Sequence, residues 1–235
     1  MKVPILLPNI FDHPFTYENN FTKTLKPGTF VKVPFGSKEM TGVVWDFQQK
    51  SQKKIKLKKI SRKLQAPLMN HKMMKFITWF SKYNIVPVGM VLKMTLLGKD
   101  IVEKNYEKDF LKFKIKKINN NFELNREQKK SLKFLERNGN KYNTCVLEGV
   151  TGSGKTLVYF ERIKKIIQKN LQALIMLPEI ALSNQFSSRF KDFFGVYPAI
   201  WNSKTTSKNK KIIWKGIIEN KIKIVVGTRS SLFLP

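Results

Sequence analysis

Gly149-Val150-Thr151-Gly152-Ser153-Gly154-Lys155-Thr156 fits the pattern G-x-x-x-x-G-K-T, and it constrains the fold more tightly than anything else in the sequence. Glycines let consecutive backbone N–H groups turn toward phosphate with no Cβ in the way, and the helix that follows adds partial positive charge. In this pattern Gly149, Thr151, Gly152, Ser153 and Gly154 cradle the phosphates. Lys155 reaches the β and γ phosphates of a nucleoside triphosphate, and the Thr156 hydroxyl ligates Mg²⁺. The context such a loop calls for is a strand before it and a helix after it. Both are expected here, a strand at NTCVLEG (143–149) and a helix at GKTLVYFERIKKIIQKN (154–170).

The alternation continues downstream. QALIML (172–177), YPAIWN (197–202) and IKIVVGT (222–228) read as strands, separated by helices at EIALSNQFSSRFKDFF (179–194) and KNKKIIWKGIIEN (208–220). Strands spaced by amphipathic helices imply βαβ units and a mostly parallel sheet. Residues 1–60 differ: TFVKVPFG (29–36), KEMTGVVWDF (38–47) and KIKLKKI (54–60) are short and alternating, the mark of a small sheet or barrel. HKMMKFITWFSKYN (71–84) places apolar residues at 73, 76, 77, 80 and 83, a helix period that stops ahead of Pro87. His71 at its start reads as a helix-end residue rather than a ligand. Residues 99–121 are charged and asparagine-rich, a linker with at most one strand, so the chain divides into 1–98, a linker 99–121, and an α/β nucleotide-binding lobe 122–235.

A net charge of +29 and a pI near 10.2 suit a polyanionic partner, but only six of the 45 basic residues are Arg and Asn is abundant, as AT-rich codon usage produces. Charge alone therefore leaves nucleic acid and a merely solvated basic surface equally open. The single Cys145, in an apolar run, excludes a disulfide framework or a cysteine metal cluster within these residues. No run of 18 apolar residues occurs, and the proline-broken start is too short for a signal peptide, so a soluble, cytoplasmic protein with no membrane partner is expected. Gln128, 27 residues before Lys155 and just ahead of a helix, carries an amide able to offer donor and acceptor to an adenine edge.

LNREQ (124–128), LEGVTGSGKT (147–156), LPEIALSNQF (177–186) and VVGTRSSLFLP (225–235), in this order and spacing, resemble the first helicase lobe of the primosomal protein N′ (PriA) family of superfamily 2. The resemblance implies a partial RecA-like lobe that binds ATP and Mg²⁺, with Gln128 at the adenine. It also implies that LPEIALSNQF and GTRSSLFLP act as motifs Ia and Ib, which touch the backbone of single-stranded DNA. Arg229 and Ser230, then Thr228, are the residues expected on phosphate. LLPNIFDHPFTY (6–17) followed by LKPGTFVKVPFGSKEMTGVVWDF (25–47) is similar to the family's amino-terminal domain for the 3′ end of a DNA strand. Carried over, the end pocket comprises Phe15, Thr16, Tyr17, Gly36 and Lys58: aromatics to stack a terminal base, a glycine for close approach, a lysine for phosphate. Thr16 stands where the family commonly has Asp, and Asn202 where it usually has His, although Trp201, Ser203 and Trp214 fit. Residues 98–122 leave no room for the family's winged helix.

The resemblance implies an ATP-dependent 3′-to-5′ DNA helicase of replication restart and primosome assembly. Its partners would be stalled forks, single strands with 3′ ends, single-stranded DNA-binding protein and helicase-loading proteins. No apolar run here ends in Asp-Glu, so the Walker B aspartate and glutamate are missing, as are the second lobe and the cysteine-rich module, where zinc is expected. The expectation is the N-terminal part of a longer protein or a truncated gene product, which alone binds nucleotide weakly and neither hydrolyses it nor unwinds DNA. Two rival readings are another superfamily 2 translocase, and a basic DNA-binding adaptor with a vestigial P-loop.

Overall fold

Alternating apolar and polar residues between positions 2 and 44 produce an antiparallel sheet. The structure, a computed structural model, describes residues 1–46, 57–97, 101–119, 121–137, 142–178 and 184–235. It divides into two units, the first of residues 1–107, 206–219 and 232–235, the second of residues 108–205 and 220–231. Among the described residues no helix is long and apolar enough to cross a membrane.

In the first unit, β1 (Lys2–Leu6), β2 (Phe15–Glu18), β3 (Phe30–Phe35), β4 (Lys38–Val44) and β5 (Arg62–Lys63) form one sheet in the order β2-β1-β4-β3-β5. Every pairing is antiparallel, and Val3, Ile5, Tyr17, Val31, Val33 and Val44 share a core with Leu7, Leu25 and Ile60. β3 and β4 close as a hairpin with Phe35 opposite Lys38, and Gly36 takes φ 59° as the first residue of the two-residue turn. That conformation suits glycine and matches the right-handed twist of the flanking strands.

The strand expected over 54–60 is displaced. Residues 54–56 lie outside the described residues, and residues 57–60 make one bridge, Lys59 to Glu18. The pairing with β3 falls at β5 instead, because buried Ile60 anchors the segment and lets Ser61 and Leu64 donate to Lys32 and Phe30. α1 (His71–Asn84) has the expected span, its N-terminus capped by the Asn70 side chain accepting from the Lys72 N–H. α2 (Val88–Thr95) was not expected; its first N–H donates to Asp12 Oδ1 at 3.0 Å.

The linker contributes α3 (Glu107–Phe110) and a 3₁₀ turn at Leu111–Phe113, with no strand among its described residues. In the second unit α4 (Arg126–Arg137), α5 (Lys155–Gln168) and α6 (Asn184–Phe194) accompany β6 (Ala173–Met176), β7 (Ala199–Trp201) and β8 (Ile224–Gly227). These strands form a parallel sheet in the order β6-β8-β7. The core gathers Phe160, Ile163, Ile175, Phe190, Phe193, Phe194, Ile224 and Val226. Residues 179–183, expected to begin the α6 helix, lie outside the described residues.

Two sequence expectations are corrected here. NTCVLEG is not a strand: residues 143–149 join no ladder, and Val146 is 80% exposed. Alternation makes a strand only where a neighbour accepts its hydrogen bonds, and among the described residues β6 pairs with β8 alone. α7 (Ser207–Ile218), which lies between β7 and β8 in sequence, belongs to the first unit. There the Trp214 indole N–H donates to the Thr95 carbonyl at 2.6 Å, its ring meets Phe30 edge-on at 6.2 Å, and the Lys215 ammonium donates to the Val102 carbonyl at 2.5 Å.

Candidate functional site

The phosphate loop is built from the start of α5. Gly154 precedes Lys155 at φ 79°, and no side chain caps the first N–H groups of the helix. The positive φ favours glycine at 154, and a Cβ there would lie 2.4 Å from Gln128 Nε2 and displace that side chain. Gln128 lies within the first turn of α4 rather than just before it, as the sequence suggested. Its Oε1 accepts from Asn125 N–H at 3.0 Å while Asn125 Oδ1 accepts from Gln128 N–H at 2.9 Å, a reciprocal capping box. The Gln128 amide also donates to the Ser153 carbonyl at 3.0 Å, which ties α4 to the loop. One N–H and one lone pair of that amide remain.

Lys155 donates to the carbonyls of Gly149 and, at 3.0 Å, Val150, leaving its third N–H for an anion. Thr151, Gly152 and Ser153 form the exposed tip, and Ser153 N–H closes it on the Val150 carbonyl. Half-buried Thr156 lies about one helical turn before Tyr159 on α5. Burial raises the Tyr159 pKa above its ordinary value, opposed by side-chain hydrogen bonding with Thr156 and by the Arg189 charge, so Tyr159 is a neutral neighbour of the loop. Neither Tyr159 nor Arg189 was foreseen, although Tyr159 at i+3 from Thr156 is a spacing that meets on a helix. Uncapped N–H groups, a positive-φ glycine and a lysine fit a polyphosphate, and the Thr156 hydroxyl is an oxygen that could ligate an accompanying Mg²⁺. Among the described residues there is no group of three or more His, Cys, Asp or Glu that could hold a metal by itself.

In the first unit, β2 carries Phe15, Thr16 and Tyr17 at the sheet edge. Successive strand side chains point to opposite faces, so Thr16 faces away from the other two. Tyr17 is 4% exposed in the core, and its hydroxyl donates to the Pro34 carbonyl at 3.1 Å. Its ring is therefore not available to stack a base in this structure, contrary to expectation. Phe15 is half-buried in a ring cluster with Phe11 (5.2 Å), Phe35 (5.2 Å) and His13 (4.9 Å). Phe11 and His13 escaped the sequence reading because residues 7–14 show no periodicity, yet Phe11 is the exposed ring of the cluster. Gly36, at the exposed hairpin tip, has open space around it rather than a crowded approach. The Lys58 carbonyl accepts from Glu18 N–H, which puts this exposed lysine beside the far end of β2, about 10 Å along the strand from Phe15.

The segments expected to act as motifs Ia and Ib follow the carboxyl ends of parallel strands, where α/β sheets place ligand-binding loops. β6 leads into residues 177–186, of which 179–183 lie outside the described residues, and β8 leads into Thr228. There Thr228 N–H donates to the Trp201 carbonyl, the Ser231 hydroxyl to the Thr228 carbonyl, and Arg229 and Ser230 project exposed from the turn. Asn202 Oδ1 accepts from the Thr205 N–H and hydroxyl, each at 2.9 Å, so it closes the loop after β7.

Residues 100–235, more than half of the chain, match the family model described as type III restriction enzyme, res subunit, a helicase-type domain. Residues 2–97 match the one described as the 3′DNA-binding domain (3′BD) of PriA. The chain belongs to this helicase-type family and is PriA-like along its length. It is 41% identical to the replication restart protein PriA of Rickettsia conorii over 235 residues, 98% of this chain and 35% of that protein. The Bacillus subtilis protein of that name is 32% identical over 146 residues, 60% of this chain and 18% of that protein. One from Helicobacter pylori is 39% identical over 112 residues, 48% of this chain and 17% of that protein. The chain thus spans about a third of the length of the Rickettsia relatives. The expected fold class holds: an antiparallel β-rich DNA-binding domain precedes a partial RecA-like lobe with a parallel sheet.

Proposed function

We propose that the protein acts in replication restart as an ATP-dependent 3′-to-5′ DNA helicase, its N-terminal domain capturing strand ends at stalled forks. The observation that carries this reading is the pairing, in one chain, of a 3′DNA-binding domain with a helicase-type lobe bearing a complete P-loop. Within it the parts are residues 1–98 for the strand end, 99–121 as linker and 122–235 as first lobe. Bound ATP with Mg²⁺ supplies the energy of translocation. The chain's own residues bind and orient it: N–H groups of Gly152 to Thr156 and the Lys155 ammonium hold phosphate charge, Thr156 gives the hydroxyl for Mg²⁺, and Gln128 meets the adenine with its remaining donor and acceptor. Arg229, Ser230 and Thr228 hold the strand by its phosphates, and Phe15, Thr16, Gly36 and Lys58 hold the 3′ end. Single-stranded DNA-binding protein and primosome-loading proteins are its partners in this reading, and the cytoplasm its compartment.

In the complete protein Lys155→Ala is expected to lower DNA-stimulated ATP hydrolysis by about a hundredfold or more, the usual cost of removing one preorganised charge-stabilising donor. Affinity for forked DNA should stay nearly unchanged, since Lys155 is engaged with the phosphate loop. Turnover near that of the unaltered protein would overturn the assignment of the loop.

A further inference from the structure

α1 turns an unusual face to solvent. At 100° per residue, Lys72, Lys75, Trp79, Lys82 and Tyr83 fall within an arc of about 100°, opposite buried Met74, Ile77 and Ser81. All five are exposed, Trp79 by 55% and Tyr83 by 73%. The two rings lie one helical turn apart and nearly parallel, with centroids 5.2 Å apart and planes 21° from each other. Trp79 is braced from beneath: Phe76 and Phe80 stand 6.0 and 6.5 Å from it, and both pack on Phe233. The platform is therefore preorganised, so a ligand stacking on it loses little side-chain freedom.

Charge decides what such a platform takes. α1 contains no acidic residue, and among the described residues none of Lys72, Lys75 and Lys82 forms an ion pair. Exposed aromatics serve protein partners as well as nucleic acids, but lysine is depleted from protein–protein interfaces, whereas lysines interleaved with aromatics are the composition of single-strand binding grooves. We infer that this face of α1 is a single-stranded DNA site apart from the 3′-end pocket, where a base stacks on Trp79 and Tyr83 and flanking phosphates meet Lys72, Lys75 and Lys82. Stacking of this kind tolerates any sequence, because every base has a π-face. The inference shares DNA with the proposed function, but needs neither nucleotide nor a free strand end.

The sequence has four tryptophans, and Trp45, Trp201 and Trp214 are buried, so Trp79 is the exposed one. An oligo(dT) strand with a 3′-phosphate, titrated into the whole chain without nucleotide, should quench the solvent-exposed tryptophan emission. Trp79→Ala should remove the quenching and weaken binding by about tenfold, the scale of one lost base–aromatic stack. Lys82→Gln should lower the slope of log affinity against log salt by about 0.7, one single-strand phosphate contact. Phe15→Leu, which damages the end pocket, should leave the quenching intact, so failure of the end-binding reading is distinguishable from failure of this one. Binding of the blocked strand without quenching, or equal affinity of Trp79→Ala and the unaltered chain, overturns the inference.

Discussion

Tyr17 shows how a residue can belong to a functional motif by sequence and to the core by structure. It follows Phe15 by two positions, shares its face of β2, and is closed in by Val3, Val33 and Val44. Burial pushes its pKa up to about 12 from an ordinary 10.0. A phenol with a raised folded-state pKa contributes stability that is fully present below pH 10 and lost as pH rises through 12. Two units correspond to about 3 kcal/mol. Tyr17→Phe should therefore remove an alkaline loss of stability of that order between pH 10 and 12, read from urea midpoints, while leaving preference for a free 3′ end unchanged. Loss of end preference with an intact fold would return Tyr17 to the binding surface. Resemblance gave the pocket's members; which of them has a free ring face depends on the five-stranded sheet, a long-range property that no local pattern carries.

At the scale of elements, local signals were enough where the element is stabilised locally. α1 was legible from its period and the proline beyond its end; the strands of the β3–β4 hairpin were legible from alternation on either side of Gly36. The segment 143–149 was misread because a strand exists only through its neighbour, and β5 was placed a few residues early because Lys-rich alternation does not say which residue anchors in the core. α7 makes the same point: its apolar stripe announced a helix, but not that the helix belongs with the first unit. Trp214, 1% exposed and bonded to Thr95, is the pin. Trp214→Ala should cost about 3–5 kcal/mol, as large-to-small core substitutions do. It should also speed amide exchange in β3, where Phe30 loses its ring partner; unchanged exchange there would place α7 elsewhere.

For the whole molecule, the net charge of +29 said little until the lysines could be placed. Some flank stacked rings on α1, one caps the phosphate loop, one stands at the end of β2. The P-loop was legible because its chemistry is local, a short loop folded on the helix that follows it. The strand-end site was legible only through resemblance, and the ring cluster of Phe11, His13, Phe15 and Phe35 required the fold. In the proposed function this chain joins recognition of a free 3′ end to a nucleotide-binding lobe, and recognition of the end is the more directly testable half. The measurement is fluorescence anisotropy of the whole chain on two duplexes with 3′ overhangs, identical except that one ends in a hydroxyl and the other in a phosphate. Tighter binding of the hydroxyl end is predicted, with the preference lost in Phe15→Leu, which keeps apolar volume but removes the stacking ring, for about tenfold in affinity. Equal affinity of the unaltered chain for both ends would contradict it.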